Sequence, residues 1–234
     1  MSEPVVTVVT GARKGIGRYL AEHYVQKGHR VIGCSRKPAE FQADQYQHYC
    51  LDVADEAAVV ELFREIRKNY RRLDVLINNA GAAAMNSVLL TPGSQLQALL
   101  DTNVKGTFLC SREAAKLMRP GKFGRIVNFV TVAIPWQLEG EAAYVAAKSA
   151  VLGLTRVMAR ELASFGITIN AVGPTPVATD LIRNVPPEKI KTLVARQAVR
   201  RLGEFRDVAN VVDFFIRPES DFVTGQVVYL GGVS

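Results

Sequence analysis

The stretch Thr10-Gly11-Ala12-Arg13-Lys14-Gly15-Ile16-Gly17 limits this chain to few architectures. It follows a continuous apolar, β-branched run from Val5 to Thr10 and precedes Ile16, Leu20 and Tyr24 at helical spacing, so it reads as strand, turn, helix. Glycines there permit a tight reversal and a close backbone approach. The N–H groups and the positive end of the following helix are then open to an anion such as a diphosphate. Taken alone, the same residues also describe a turn with no ligand, so the other motifs decide between the two.

The alternation continues down the chain. Arg30 to Cys34, Tyr49 to Val53, Leu73 to Ile77, Arg125 to Thr131, Ile167 to Val172 and Gln226 to Leu230 read as strands. Between them lie a helix capped by Asp55, with Val59, Leu62, Phe63, Ile66 and Tyr70 as its apolar stripe, and helices over Gln95 to Met118, Glu141 to Ser164 and Asp207 to Ile216. Strands alternating with helices predict an α/β fold: a single-domain, Rossmann-like, doubly wound parallel sheet with helices on both faces, spanning 1–234. The proline-rich segment 174–202 reads as a substrate lid within that domain.

Composition narrows the function classes. The formal charge of +7 would suit nucleic acid, but much of the excess is local: seven basic residues lie between Arg183 and Arg206 against Glu188 and Glu204. With Phe205 the only aromatic there, base stacking has little to work with, and a small anionic partner fits better than nucleic acid. No apolar run approaches the ~20 residues that cross a bilayer, so no membrane partner is expected. Cys34, Cys50 and Cys110 lack paired spacing, which signals neither a disulfide framework nor a metal site. Met1 leads through Pro4 to Val5 without a basic leader, so a cytoplasmic location is expected.

Four further features carry chemistry: Asn78-Asn79-Ala80-Gly81 at the end of the fourth strand, Asn103 in the next helix, and Tyr144 and Lys148 one helical turn apart on one face. A phenol is a poor proton carrier near neutrality unless a neighbouring cation favours its anion, and Lys148 is spaced to supply one. Together with the glycine turn, and with landmarks at Asn170 to Thr179, Arg201-Leu202-Gly203, Asp207-Val208-Ala209 and Thr224-Gly225, the pattern resembles the short-chain dehydrogenase/reductase family from about Val5 to Gly232. Within the family it most resembles 3-oxoacyl-carrier-protein reductases.

The resemblance implies that Tyr144 protonates the substrate oxygen while a hydride arrives from a nicotinamide. It implies also that Lys148 binds the nicotinamide ribose and that Asn103 holds a water leading from Lys148 to solvent. The family's catalytic serine falls on Thr131, whose hydroxyl could do the same work with an added methyl. Gly11, Arg13, Lys14, Gly15, Ile16 and Gly17 would hold the diphosphate end, Asp52 and Val53 the adenine, and Asn79, Ala80 and Gly81 the inner part. Tyr144, Lys148, Pro174, Val177 and Thr179 would surround the nicotinamide. Two more departures are Thr175, where the family has glycine, and Gly231, where it commonly has an acidic residue. Members that use a carrier protein often have a basic residue before the glycine at Gly166, and here it is Phe165.

Cofactor preference is legible at the end of the second strand. NAD sites place an acidic residue there for the ribose 2′-OH, whereas Ser35 occupies the position here and Arg36 follows it. With Arg13 and Lys14 nearby, NADPH is predicted over NADH. The resulting expectation is an NADPH-dependent carbonyl reductase, acting on a 3-oxoacyl-type or related ketone that could be anionic or carrier-linked, and assembled as a homodimer or homotetramer. Two rival readings use the same residues: an alcohol or diol dehydrogenase working in the oxidising direction, and a non-catalytic NADP-binding regulator.

Overall fold

The computed structural model describes residues 3–177 and 187–233. Its strands are β1 (Val6–Thr10), β2 (Arg30–Ser35), β3 (Tyr46–Cys50), β4 (Val75–Asn78), β5 (Gly124–Phe129), β6 (Ile167–Gly173) and β7 (Val227–Tyr229). They form one seven-stranded sheet in the order β3-β2-β1-β4-β5-β6-β7, with every neighbouring pair parallel. From β1 the chain winds outward through β2 and β3, then returns to place β4 on the other side of β1. The crevice at the carboxyl ends of β1 and β4 is where such sheets bind ligands.

The helices are α1 (Gly15–Gln26), α2 (Glu56–Tyr70), α3 (Gly93–Leu100), α4 (Gly106–Met118), α5 (Ala133–Trp136), α6 (Ala142–Leu162), α7 (Pro187–Ala195) and α8 (Phe205–Ile216). Successive strand residues point to opposite faces and so build two cores. Val6, Val8, Ile32 and Leu76 pack with Leu62 and Phe63 of α2 and Leu109 and Met118 of α4. Val9, Val31, Val75 and Ile77 pack with Leu20 and Tyr24 of α1 and Val208, Val212 and Phe215 of α8. Each fully buried large apolar side chain contributes about 1.5–3 kcal/mol.

Local chemistry sets several boundaries. The Asp55 carboxylate accepts from the N–H groups of Ala57 and Ala58 and starts α2, as its position predicts. Glu204 and Asp207 form a capping box that starts α8 earlier than the apolar pattern does. β3 lies three residues before the segment expected from the sequence. It is one of the sheet's two edge strands and only partly covered, so Tyr46-Gln47-His48 carries no apolar run to announce it. Leu51, Asp52 and Val53 follow β3 as a loop and reach the crevice.

The long helix expected over Gln95 to Met118 is interrupted. A π-helical turn, Asp101–Lys105, separates α3 from α4 and contains Asn103, which is fully buried. Single π turns recur at functional positions because they re-aim side chains within a helix. Here Asn103 Nδ2 donates to Leu99 O and Ala82 O, both at 2.9 Å, and its Oδ1 accepts from Ala82 N at 3.3 Å. Part of the expected lid, 178–186, lies outside the described residues.

Candidate active site

At the carboxyl end of the sheet a cleft of about 900 Å³ runs across the glycine turn, β2's end and the loop after β3. Gly11 adopts φ +69° and turns the chain out of β1 into α1. A Cβ at Gly17 would collide with Gly11 O and Asn79 Nδ2, so that position is a packing requirement behind the cleft and not part of its lining. Asn79 Nδ2 donates to Thr10 O at 3.0 Å and Gly11 O at 3.3 Å, and Ala80 N donates to Thr10 Oγ1 at 2.9 Å. The end of β4 thus holds the turn in shape. α1 has no side-chain cap, which leaves the N–H groups of its first turn for whatever occupies the cleft.

Of the residues expected to bind cofactor, Gly11, Arg13, Lys14, Gly15, Ile16, Ser35, Arg36, Asp52, Val53, Asn79, Ala80 and Gly81 line this cleft. Lys37, next to Arg36, joins them, as do Leu51, Thr102 and Phe205, which carry no sequence signal of their own. The donor set fits a dinucleotide carrying an extra phosphate: an uncapped helix N-terminus, four cations (Arg13, Lys14, Arg36 and Lys37), and a hydroxyl where an NAD site has a carboxylate.

A second cavity of about 220 Å³ shares Ile16, Asn79 and Gly81 with the cleft and contains Asn103, Thr131, Tyr144, Lys148, Pro174 and Val177. Val130 and Thr131 lie just beyond β5, and α6 presents Tyr144 and Lys148 one turn apart. The Thr131 hydroxyl accepts from Ala133 N at 3.2 Å and is hydrogen-bonded to the Tyr144 phenol. Burial pushes the phenol up to about 12, against the lowering effect of the Thr131 bond, and the nearby Glu141 charge adds to the rise. Tyr144 therefore holds its proton through the neutral range.

Lys148 is 5% exposed, and burial brings its pKa down to about 8. Its Nζ donates to Phe129 O at 2.8 Å, so its present partner is the end of β5 and not the phenol that the sequence reading pairs it with. A Cβ on Gly81 would lie 2.8 Å from Asn103 Oδ1 and 3.3 Å from Lys148 Nζ, which shows how closely these three positions converge. Thr179 lies outside the described residues.

The remaining departures fit one another. Thr175 is 5% exposed, and a Cβ on Gly231 would come within 2.8 Å of Thr175 Cγ2 and 2.5 Å of Gln197 Oε1. Gly231 also has φ +76°, which other residues rarely adopt. The glycine at 231 thus makes room for the side chain at 175. Among the described residues of the basic segment, Lys191 pairs with Glu188, Arg201 with Asp207 and Arg206 with Glu204. Arg196 lies over the Trp136 ring at 5.2 Å from its centroid and donates to Trp136 O. The cavity walls Met85, Trp136, Leu138, Glu141, Ile190 and Leu193 carried no readable signal in the sequence.

Holding the Lys148 ammonium in this place is costly. The folded pKa lies below the ordinary 10.5, so the unfolded chain binds the extra proton more readily, and stability rises as pH passes from about 8 to 10.5. We predict that Lys148→Met raises the melting temperature at pH 7 and that its advantage shrinks at pH 10. The gain has an upper bound of about 3 kcal/mol, reduced by the lost bond to Phe129 O. Thermal denaturation of both proteins at the two pH values checks this, and equal melting temperatures would refute it.

A parallel sheet with this crevice, its turn of glycines, and Thr131, Tyr144 and Lys148 at the inner end define a Rossmann-like oxidoreductase. Comparison with known proteins agrees. Residues 11–233 match the family model described as enoyl-(acyl carrier protein) reductase. The 3-oxoacyl-[acyl-carrier-protein] reductase of Vibrio cholerae is 31% identical, covering 98% of this chain and 97% of that one. Its counterpart in Staphylococcus aureus is 33% identical, covering 96% of each. Among solved structures, the ligand-free aldohexose dehydrogenase of Thermoplasma acidophilum superposes with a TM-score of 0.89 at 30% identity, covering 98% of this chain and 94% of that one. A putative gluconate dehydrogenase from Agrobacterium tumefaciens gives 0.87 at 30% identity, with 97% and 94% covered. The chain belongs to the short-chain dehydrogenase/reductase family, oxidoreductases acting on CH–OH and C=O groups, and is similar to its 3-oxoacyl reductase members. Among the described residues no helix is long and apolar enough to cross a membrane.

Proposed function

We propose that the protein is an NADPH-dependent carbonyl reductase acting on a 3-oxoacyl-type or related ketone. The observation that carries this reading is the Thr131-bound, protonated Tyr144 beside Lys148, in a cavity continuous with a cleft lined by Arg13, Lys14 and Arg36. When bound, NADPH supplies a hydride to the carbonyl carbon. Tyr144 gives its proton to the carbonyl oxygen, and Thr131 steadies that oxygen by a hydrogen bond. Lys148 holds the nicotinamide ribose, and Asn103 the water path behind it. Gly11, Gly15 and Ile16 serve the diphosphate with Gly17 packed behind them, Asp52 and Val53 lie toward the adenine, and Pro174, Val177 and Thr179 toward the nicotinamide.

Segment 174–202 acts as the lid of a single domain, and Ile190 and Leu193 of α7 in the cavity wall support that role. Exposed Phe108 on α4 and Val157 on α6 support a homodimer or homotetramer built on those helices. The Glu141 carboxylate in the cavity wall, together with the likeness to a sugar dehydrogenase, favours a second reading: oxidation of a hydroxylated alcohol.

Titration with both cofactors tests the cofactor half of the proposal. We expect NADPH to bind more than about tenfold tighter than NADH, because charge-assisted bonds to the extra phosphate contribute about 1.5–3 kcal/mol each. Arg36→Asp should erase that margin, and equal affinities in the unmodified protein would refute the preference. A panel of ketones with NADPH and of alcohols with NADP then decides direction, and absence of turnover in both despite tight binding would refute catalysis.

A further inference from the structure

Beneath Arg36 lies a chain of hydrogen bonds that no step above uses. Ser35 Oγ donates to Lys37 O at 2.7 Å, closing the backbone around Arg36. His48, on β3 beside the end of β2, places Nε2 2.9 Å from Ser35 Oγ and 3.3 Å from Lys37 O. Its Nδ1 is 2.7 Å from the Tyr46 hydroxyl.

One arrangement of protons satisfies all of these contacts. The Ser35 proton is given to Lys37 O, so Ser35 Oγ accepts from His48 Nε2–H. The bare His48 Nδ1 then accepts from Tyr46 O–H. Burial lowers the His48 pKa, which favours this neutral ring. The phenol packs against Gly33, its oxygen occupying the space that a Cβ there would need. Glycine at 33 thus admits Tyr46, Tyr46 fixes the tautomer of His48, and His48 holds both ends of the Ser35–Lys37 turn.

We infer that His48 is a positioning residue for cofactor selection: through Ser35 and Lys37 it holds the Arg36 guanidinium where a ribose 2′-phosphate is recognised. This rests on the NADPH preference proposed above and extends it to residues that touch no cofactor. The consequence is specific. Loosening the turn costs only the ligand that uses Arg36, so NADPH loses affinity while NADH, which lacks the phosphate, does not. A purely structural role for His48 would weaken both.

The experiment is fluorescence titration of NADPH and NADH against the full chain and three variants. His48→Leu should weaken NADPH binding about tenfold and leave NADH within about twofold, the size of one hydrogen bond to a charged group. His48→Gln, which keeps a donor and an acceptor on one side chain, should restore most of the NADPH affinity. Tyr46→Phe removes a single hydroxyl and should give a smaller loss, again for NADPH alone, and it carries the test if the leucine variant does not fold. Equal losses for both cofactors, or no loss for NADPH, would overturn the inference while leaving the NADPH preference standing. Equal affinities of the unmodified protein for the two cofactors would overturn the preference and this inference with it.

Discussion

Tyr144→Phe lowers turnover by about 10²–10⁴-fold, the loss expected when a general acid is removed, and leaves NADPH affinity nearly unchanged. The substitution deletes one oxygen from a ring that otherwise keeps its place on α6, so the fold and the cleft are untouched. Burial holds the unmodified phenol near 12, so it carries its proton at neutral pH and has one to give in the direction of reduction. Phenylalanine leaves the developing alkoxide without a proton donor, and water is poorly placed to replace it in a cavity of about 220 Å³ walled by Trp136, Leu138, Ile190 and Leu193. Steady-state rates at saturating NADPH, with cofactor affinity measured separately, decide the matter. Full turnover in the variant would remove Tyr144 from the mechanism.

Thr131→Val reduces turnover by about 10²-fold or more, by analogy with removing one oxyanion-hole donor. Valine keeps the shape and the added methyl of threonine and removes only the hydroxyl. That hydroxyl accepts from Ala133 N at 3.2 Å, which leaves its proton free to be directed at Tyr144 and, in the transition state, at the substrate oxygen. Such a contact strengthens as charge develops, so its loss falls on kcat more than on KM. Thr131→Ser should retain or raise activity, since it keeps the donor and widens the cavity by a methyl. The comparison requires equal cofactor saturation and folded variants. If valine and threonine turn over alike, Thr131 is only a wall, and the catalytic set contracts to Asn103, Tyr144 and Lys148.

Much of this protein was legible in the sequence because its signals are local. The strand run before Gly11, the helix stripe after Asp55 and the one-turn spacing of Tyr144 and Lys148 each depend on residues a few positions apart, where backbone periodicity and capping chemistry act directly. Thus the parallel α/β order and the family followed from the chain alone. The π turn at Asn103 did not, because a five-residue widening leaves the apolar pattern of a long helix almost intact. Nor did the bounds of β3, whose edge position removes the burial that marks where a strand begins. The accommodation of Thr175 by Gly231 joins residues 56 positions apart, and the relay from Tyr46 to Ser35 crosses two strands. The walls of the inner cavity come from six separate segments: Ile16, 79–85, Asn103, 129–148, 174–177 and 190–193. What the sequence determined by itself was the set of elements and the reactive groups. Tertiary structure alone decided which groups touch, which protons are held and which walls face the substrate, because those depend on distances and burial across the sheet that no local pattern encodes.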